Sequence, residues 1–122
     1  MIEISDTQFA GQKRHKRATL IERIDDWLLV QDSAWSLLEP PRRIDMLEQI
    51  VDKANLYGMR SARDHAIFCR GTILLRLAWP DFMDEPQNQV LLTDDKVDAD
   101  SKLRAWFNRC WQAAQTRAGQ KA

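Results

Sequence analysis

The sequence contains little cysteine, proline or glycine and no long hydrophobic run. Its 122 residues include two Cys, four Pro and four Gly. These are too few cysteines for a disulfide framework and too few turn formers for an all-β protein with many tight turns. No stretch approaches the roughly 18 apolar residues of a membrane span, and the N-terminus lacks the apolar region of a signal peptide. We therefore expect a cytoplasmic protein with reduced thiols and no membrane partner.

Net charge is also absent. Eighteen Lys and Arg balance eighteen Asp and Glu, which argues against nucleic acid as the partner, because polyanion binders usually carry a basic excess. A chain of this length with 44% hydrophobic residues is expected to form a single domain over residues 1–122 with one core. Few apolar residues anchor the two ends, so we expect residues 1–10 and 117–122 to fray.

The spacing of apolar residues predicts long helices. The first spans about residues 5–30, with either a break near Gly11 or a frayed first part. The second begins at Pro41, because the missing N–H of proline is not needed in a first turn. It stops at Gly58, since glycine adopts the left-handed conformation that ends helices at little cost.

Two more long helices and a short one are predicted in the second half. The third long helix begins at Ser61 and ends at Trp79, because a residue before proline is pushed out of the α region. Gly71 inside it costs about 1 kcal/mol relative to alanine, which predicts close approach by a neighbouring helix. A short helix near residues 86–92 precedes a final helix over about residues 98–116. The predicted fold is an all-α bundle of four main helices plus the short one.

No set of residues has the pattern of an active site. His15 lies among cations, and His65 follows Asp64 directly, so their side chains point about 100° apart on a helix and form no dyad. Cys69 and Cys110 fall on apolar helix faces, which predicts buried, unreactive thiols. We therefore predict a non-enzymatic protein with no catalytic and no cofactor-binding residues.

Metal sites are not predicted either. His65 and Cys69 are four residues apart on a helix, but two further nitrogen or sulfur ligands at matching spacing are lacking. The acidic loop 94–100 lacks the central Gly and terminal Glu of an EF-hand loop. No glycine-rich phosphate loop is present.

Charge is segregated along the chain. Residues 81–100 contain seven acidic residues and one basic residue, whereas residues 101–122 carry five basic residues and no acidic one. The two segments either neutralise each other or present opposite charges to a partner. A dense basic cluster precedes the first apolar stripe and consists of Lys13, Arg14, Lys16 and Arg17. We predict that this cluster protrudes into water. It is a candidate for binding phosphate or an acidic surface.

The five tryptophans divide into two groups. Three lie on apolar helical stripes and are predicted to be core residues: Trp27, Trp106 and Trp111. Trp35 and Trp79 stand at helix ends, where they either close the bundle or anchor a protein interface, as amphipathic aromatics often do. With Phe82 and the neighbouring carboxylates, they form the predicted partner-binding set: Trp35, Trp79, Phe82, Asp81, Asp84 and Glu85.

Three segments carry a resemblance to a known family. They are ANLYGMRSARDHAIF at 54–68, WPDF at 79–82 followed by Pro86, and RIDDWL at 23–28. Together they resemble small helical accessory proteins of type VI secretion effector and spike loci, which are similar to the C-terminal helical part of the effector-loading adaptor family. The resemblance implies an adaptor or chaperone-like protein that binds a secreted effector or spike component in bacteria.

Two other functions remain open from the sequence. An immunity protein that neutralises a cognate toxin would use residues 81–100 as its inhibitory surface. A nucleic-acid-binding regulator would use residues 13–17, although the absence of net positive charge argues against this function.

Overall fold

The structure, a computed structural model, describes residues 17–120 and is helical. Within this range six α-helices follow one another: α1 (Arg17–Gln31), α2 (Pro40–Leu56), α3 (Ala62–Ile73), α4 (Trp79–Met83), α5 (Pro86–Thr93) and α6 (Ala99–Gln120). Two 3-10 turns, Ser33–Leu37 and Arg76–Ala78, lie before α2 and before α4. No strand occurs among the described residues, and the all-α prediction is confirmed.

The turn between α2 and α3 forms as the sequence predicts. Gly58 has a φ of 86°, the left-handed conformation that glycine adopts without a Cβ clash. Ser61 then caps α3, since its hydroxyl accepts a hydrogen bond from the Asp64 N–H at 3.0 Å. The predicted stop of the second helix and start of the third are therefore confirmed.

The end of α3 was predicted wrongly. The helix stops at Ile73, and Trp79 with Pro80 begins α4 instead of ending α3. Arg76 has a φ of 56°, so the chain turns there without a glycine to mark the position in the sequence. Pro80 is tolerated in the first turn of α4 because its missing N–H has no helical acceptor to lose.

The boundaries of α5 and α6 agree more closely with the predicted ones. α5 matches the short helix predicted near residues 86–92. α6 begins beside the predicted start and continues to Gln120, beyond the predicted end near residue 116. Residues 1–10 and 121–122, the proposed break at Gly11 and the expected fraying there all lie outside the described residues.

The most extensive contact between helices is the one between α3 and α6. A Cβ added at Gly71 would lie 3.2 Å from the Phe107 Cδ2 atom and 3.4 Å from its backbone Cα. The predicted close approach of a neighbouring helix at this glycine is therefore confirmed, and the neighbour is α6. α3 also packs against α1 and α2, which makes it the central helix.

Enlarging Gly71 is expected to destabilise the protein. Gly71→Leu should lower the free energy of unfolding by about 1–3 kcal/mol, because the added atoms overpack the contact with Phe107. In Gly71→Ala, the gain of about 1 kcal/mol in helix propensity offsets most of the crowding, so its change should be small. Urea denaturation of both variants measures this difference, and equal stability of Gly71→Leu and wild type would contradict the close contact.

A buried polar network ties the first two helices to the turn between them. The Asp25 Oδ1 atom accepts hydrogen bonds from Trp35 Nε1 at 2.7 Å and from Arg43 Nε at 2.8 Å. Arg43 Nη2 donates to Asp25 Oδ2 at 3.2 Å, and Nη1 donates to the Leu38 carbonyl at 2.7 Å. The three side chains are buried, so their hydrogen bonds offset the cost of removing them from water.

Trp106 on α6 forms the aromatic centre of the core. Its side chain is 0% exposed, and its ring centroid lies 5.7 Å from that of Phe68 and 5.6 Å from that of Phe82. Its Nε1 atom donates to the Thr72 hydroxyl at 3.2 Å. Trp27 is buried as predicted.

Trp111 does not belong to the core, which corrects the prediction. Its side chain is 46% exposed. At 3.6 residues per turn it lies about 80° around α6 from Leu103, at the edge of the apolar stripe.

Candidate protein-binding surface and adjoining cavity

The two tryptophans predicted to anchor a partner are core residues. Trp35 is 1% exposed and Trp79 is 6% exposed, which removes both indole rings from the surface. Trp35 is held there by Asp25, an acceptor that its indole N–H requires once it is buried. Phe82 is partly buried against Trp106. The prediction of an aromatic anchor is wrong for Trp35 and Trp79, and the alternative, that they help to close the bundle, agrees with their burial.

The three predicted carboxylates are placed differently. Asp81, Asp84 and Glu85 are all exposed, on α4 and on the short link to α5. None of them forms an ion pair with a residue of the described chain. They are available to a partner without any rearrangement of the core.

The carboxylates of the acidic segment, residues 81–100, face outward. Of its seven carboxylates, six are exposed and Asp94 is partly buried. Only Asp100 approaches cations of the described chain, Arg63 at 3.8 Å and Arg104 at 3.7 Å. Helix α6 therefore leaves most of this charge unneutralised. We use the name acidic surface for the exposed carboxylates without such a pair: Asp81, Asp84, Glu85, Asp95 and Asp98.

Buried polar contacts hold the acidic surface in place. Asn88 on α5 is 0% exposed, and its Nδ2 atom donates to the Phe82 carbonyl at 2.7 Å. Arg109 of α6 donates from Nε to the Asn88 side-chain oxygen. Gln89 donates from Nε2 to the Tyr57 hydroxyl at 3.0 Å. Helix α5 is thus fixed to α4, α6 and the end of α2.

A cavity of about 630 Å³ adjoins the acidic surface. It lies between the C-terminal end of α2, helix α5 and the start of α6. Its wall combines charged, polar and apolar side chains, among them Lys53, Leu56, Tyr57, Asp84, Gln89, Leu92, Asp95, Val97, Asp98 and Lys102.

Lys102 is the one buried cation of this wall. It is 5% exposed, and its Nζ atom donates to the Tyr57 carbonyl at 3.1 Å. A lysine near the C-terminal end of a helix such as α2 is favoured by the helix dipole. Sequence analysis did not single out Lys102, although it lies one helical turn before Trp106 and thus beside the buried stripe of α6.

Asp98 begins α6 at the edge of the cavity. Its Oδ1 atom accepts a hydrogen bond from the Ser101 N–H at 3.1 Å, the contact of an N-cap residue. Interaction with the Ser101 side chain, and then this backbone hydrogen bond, lowers the pKa of the Asp98 carboxyl.

His65 and the two cysteines are buried side chains. His65 is buried, and its Nε2–H lies 2.9 Å from the Met59 carbonyl and 3.0 Å from the Asn55 side-chain oxygen. Burial raises the pKa of the Cys69 and Cys110 thiols, which keeps them protonated. Over residues 17–120, no group of three or more His, Cys, Asp or Glu is placed to hold a metal ion.

His65 makes stability depend on pH. Burial lowers its pKa below the ordinary value of 6.5, so the unfolded chain binds this proton more readily than the folded one. We expect the free energy of unfolding to decrease as the pH falls through 6.5. Replacing His65 with glutamine should flatten this dependence, and denaturant titrations at a series of pH values measure it. An unchanged pH profile in the variant would contradict the assignment.

Only one member of the predicted basic cluster is described. Arg17 donates from Nε to the Glu48 carboxylate at 2.7 Å and from Nη2 to the Asp52 carboxylate at 2.9 Å. It therefore joins α1 to α2, and its side chain remains 41% exposed to water as it does so. The other members, Lys13, Arg14 and Lys16, lie outside the described residues.

The chain was compared with known proteins at three levels. No family model, curated protein or solved structure matches it. Within the described range, no helix is both long enough and apolar enough to cross a membrane.

Proposed function

We propose that this chain is a non-enzymatic accessory protein that binds another protein through its acidic surface. The observation that carries the proposal is the exposure of this surface: five carboxylates lie on one segment, residues 81–98, and none pairs with a described cation. Such a concentration of one charge favours association with a basic surface and directs its orientation.

The partner class follows from the sequence resemblance. In the proposed role, the chain acts in the bacterial cytoplasm as an adaptor or chaperone for a type VI secretion effector or spike component. The anchoring differs from the one first predicted, because Trp35 and Trp79 are buried. In this proposal, electrostatic attraction therefore contributes more to recognition of the partner than the sequence alone predicted, and insertion of aromatic side chains contributes less.

The alternative is an immunity protein, and the same surface favours it. A toxin that acts on a polyanion has a basic active site, and an exposed acidic surface blocks such a site by charge complementarity. The two functions differ in their outcome for the cell. Rescue of growth from a toxin encoded beside this chain selects the immunity role, whereas loss of effector secretion without rescue selects the adaptor role.

Reversing the acidic charges is expected to weaken the complex. A variant with Asp81→Lys, Asp84→Lys and Glu85→Lys should bind a partner encoded by an adjacent gene at least about tenfold more weakly, because three attractions become repulsions. Affinity of the purified proteins, measured by calorimetry at low and high salt, tests this.

A matched control variant makes the same change in net charge at three carboxylates outside the acidic surface. Glu22, Glu39 and Asp45 are exposed and form no ion pair with a described residue. Their triple replacement by lysine should leave the affinity within about threefold of wild type. Equal weakening by both variants would show an effect of net charge alone and would contradict a specific acidic surface.

A further inference from the structure

The wall of the cavity beside the acidic surface includes a buried lysine, Lys102. Lys102 is 5% exposed and donates to the Tyr57 carbonyl. An ammonium has three N–H donors, and no carboxylate of residues 17–120 lies within 4.0 Å of this one. A buried charge without a counter-charge is costly, so an anionic group is the partner that this wall favours.

The outer part of the same cavity has the opposite charge. Asp84, Asp95 and Asp98 line it, and all three are exposed, whereas Lys53, the second cation of the wall, is partly buried. A ligand with a single negative charge would meet repulsion from these carboxylates, and a ligand with a single positive charge would meet Lys102. A ligand that carries both charges at its two ends satisfies both regions.

We propose that this cavity binds a small zwitterionic ligand. Its carboxylate contacts Lys102, its cationic group contacts Asp84 and Asp95, and an aliphatic stem between them packs on the apolar wall. That wall consists of Leu56, Leu92 and Val97. The volume of about 630 Å³ lies in the range of small-molecule sites. A free basic amino acid and the C-terminal residue of a peptide share this chemistry. The inference does not rest on the proposed function, although Asp84 and Asp95 belong both to the cavity wall and to the acidic surface.

Three probes of nearly equal size test the two charges separately. L-arginine carries the carboxylate and a side-chain cation, L-citrulline lacks the side-chain cation, and L-argininamide lacks the carboxylate, while all three keep the α-amino group. Calorimetric titration of the full chain should give a dissociation constant of about 1 mM or tighter for arginine, and values at least about tenfold weaker for the other two. Equal affinity for arginine and either analogue, or no binding of arginine at about 10 mM, would overturn the proposal.

Substitutions in the cavity wall test which residue contacts each charge of the ligand. Asp84→Asn with Asp95→Asn should weaken arginine binding about tenfold and leave citrulline binding unchanged. Asp81→Asn is the matched control, because Asp81 belongs to the acidic surface and does not line the cavity. Unchanged arginine binding in the double variant would overturn the proposal.

Lys102→Met should weaken both arginine and citrulline binding about tenfold and leave argininamide binding unchanged. Because Lys102 also contacts the end of α2, circular dichroism must first show that this variant is folded. The Asp84 and Asp95 variant changes exposed residues only, so it decides the question if Lys102→Met does not fold.

The peptide Gly-Gly-Arg distinguishes the two sources of the carboxylate. Tighter binding of the peptide than of arginine supports the proposal with a chain end as the ligand. Weaker binding of the peptide supports it with a free amino acid as the ligand.

Discussion

Replacing Asp25 with alanine is expected to lower the free energy of unfolding by about 3 kcal/mol. The carboxylate accepts three hydrogen bonds, from Trp35 and from two nitrogens of Arg43. Its removal leaves a buried guanidinium without its counter-charge and a buried indole N–H without an acceptor. Both losses act on the folded state, because these groups are hydrated when the chain is unfolded.

Two controls separate the contributions to this effect. Asp26→Ala changes the exposed neighbour of Asp25 on the same helix and should alter stability by less than about 0.5 kcal/mol. Trp35→Phe removes the indole donor but keeps the Arg43 pair, so its cost should be smaller than that of Asp25→Ala. Urea denaturation measures all three, and equal stability of Asp25→Ala and Asp26→Ala would contradict the network.

Replacing Trp106 with alanine is expected to cost about 3–5 kcal/mol, the largest effect of any single substitution considered. The ring is 0% exposed and packs on Phe68 and Phe82, so its loss leaves a large cavity between α3, α4 and α6. The Thr72 hydroxyl also loses its donor. The chain is expected to be largely unfolded in moderate denaturant, where wild type remains folded.

Trp111→Ala is the matched control on the same helix. Because Trp111 is 46% exposed, its replacement should cost less than about 1 kcal/mol. Thermal unfolding followed by circular dichroism compares the two variants. A larger loss for Trp111→Ala than for Trp106→Ala would mean that α6 presents a different face to the core.

The long helices could be predicted from the sequence because their signals are local. Gly58 and Ser61 mark the turn between α2 and α3 in the sequence, and both positions behave as predicted. The end of α3 could not be predicted in the same way. The chain turns at Arg76, a residue with no intrinsic preference for positive φ, so no local signal in the sequence marks this turn.

The candidate site was predictable only in part. The exposed carboxylates follow from composition, since a run of acidic residues is rarely buried. The burial of Trp35 depends on Asp25, a distant partner that helical periodicity does not reveal. The cavity at Lys102 depends on three segments that meet only in the folded chain, so no local pattern indicates it.

The location of the binding surface is the central claim, and hydrogen exchange of the partner complex tests it most directly. Amide exchange is measured by mass spectrometry on the free chain and on the chain bound to the protein encoded by an adjacent gene. We predict slower exchange in the bound state over residues 79–100, with little change in α1. Protection confined to α1 and α2, with residues 79–100 unaffected, would contradict the account.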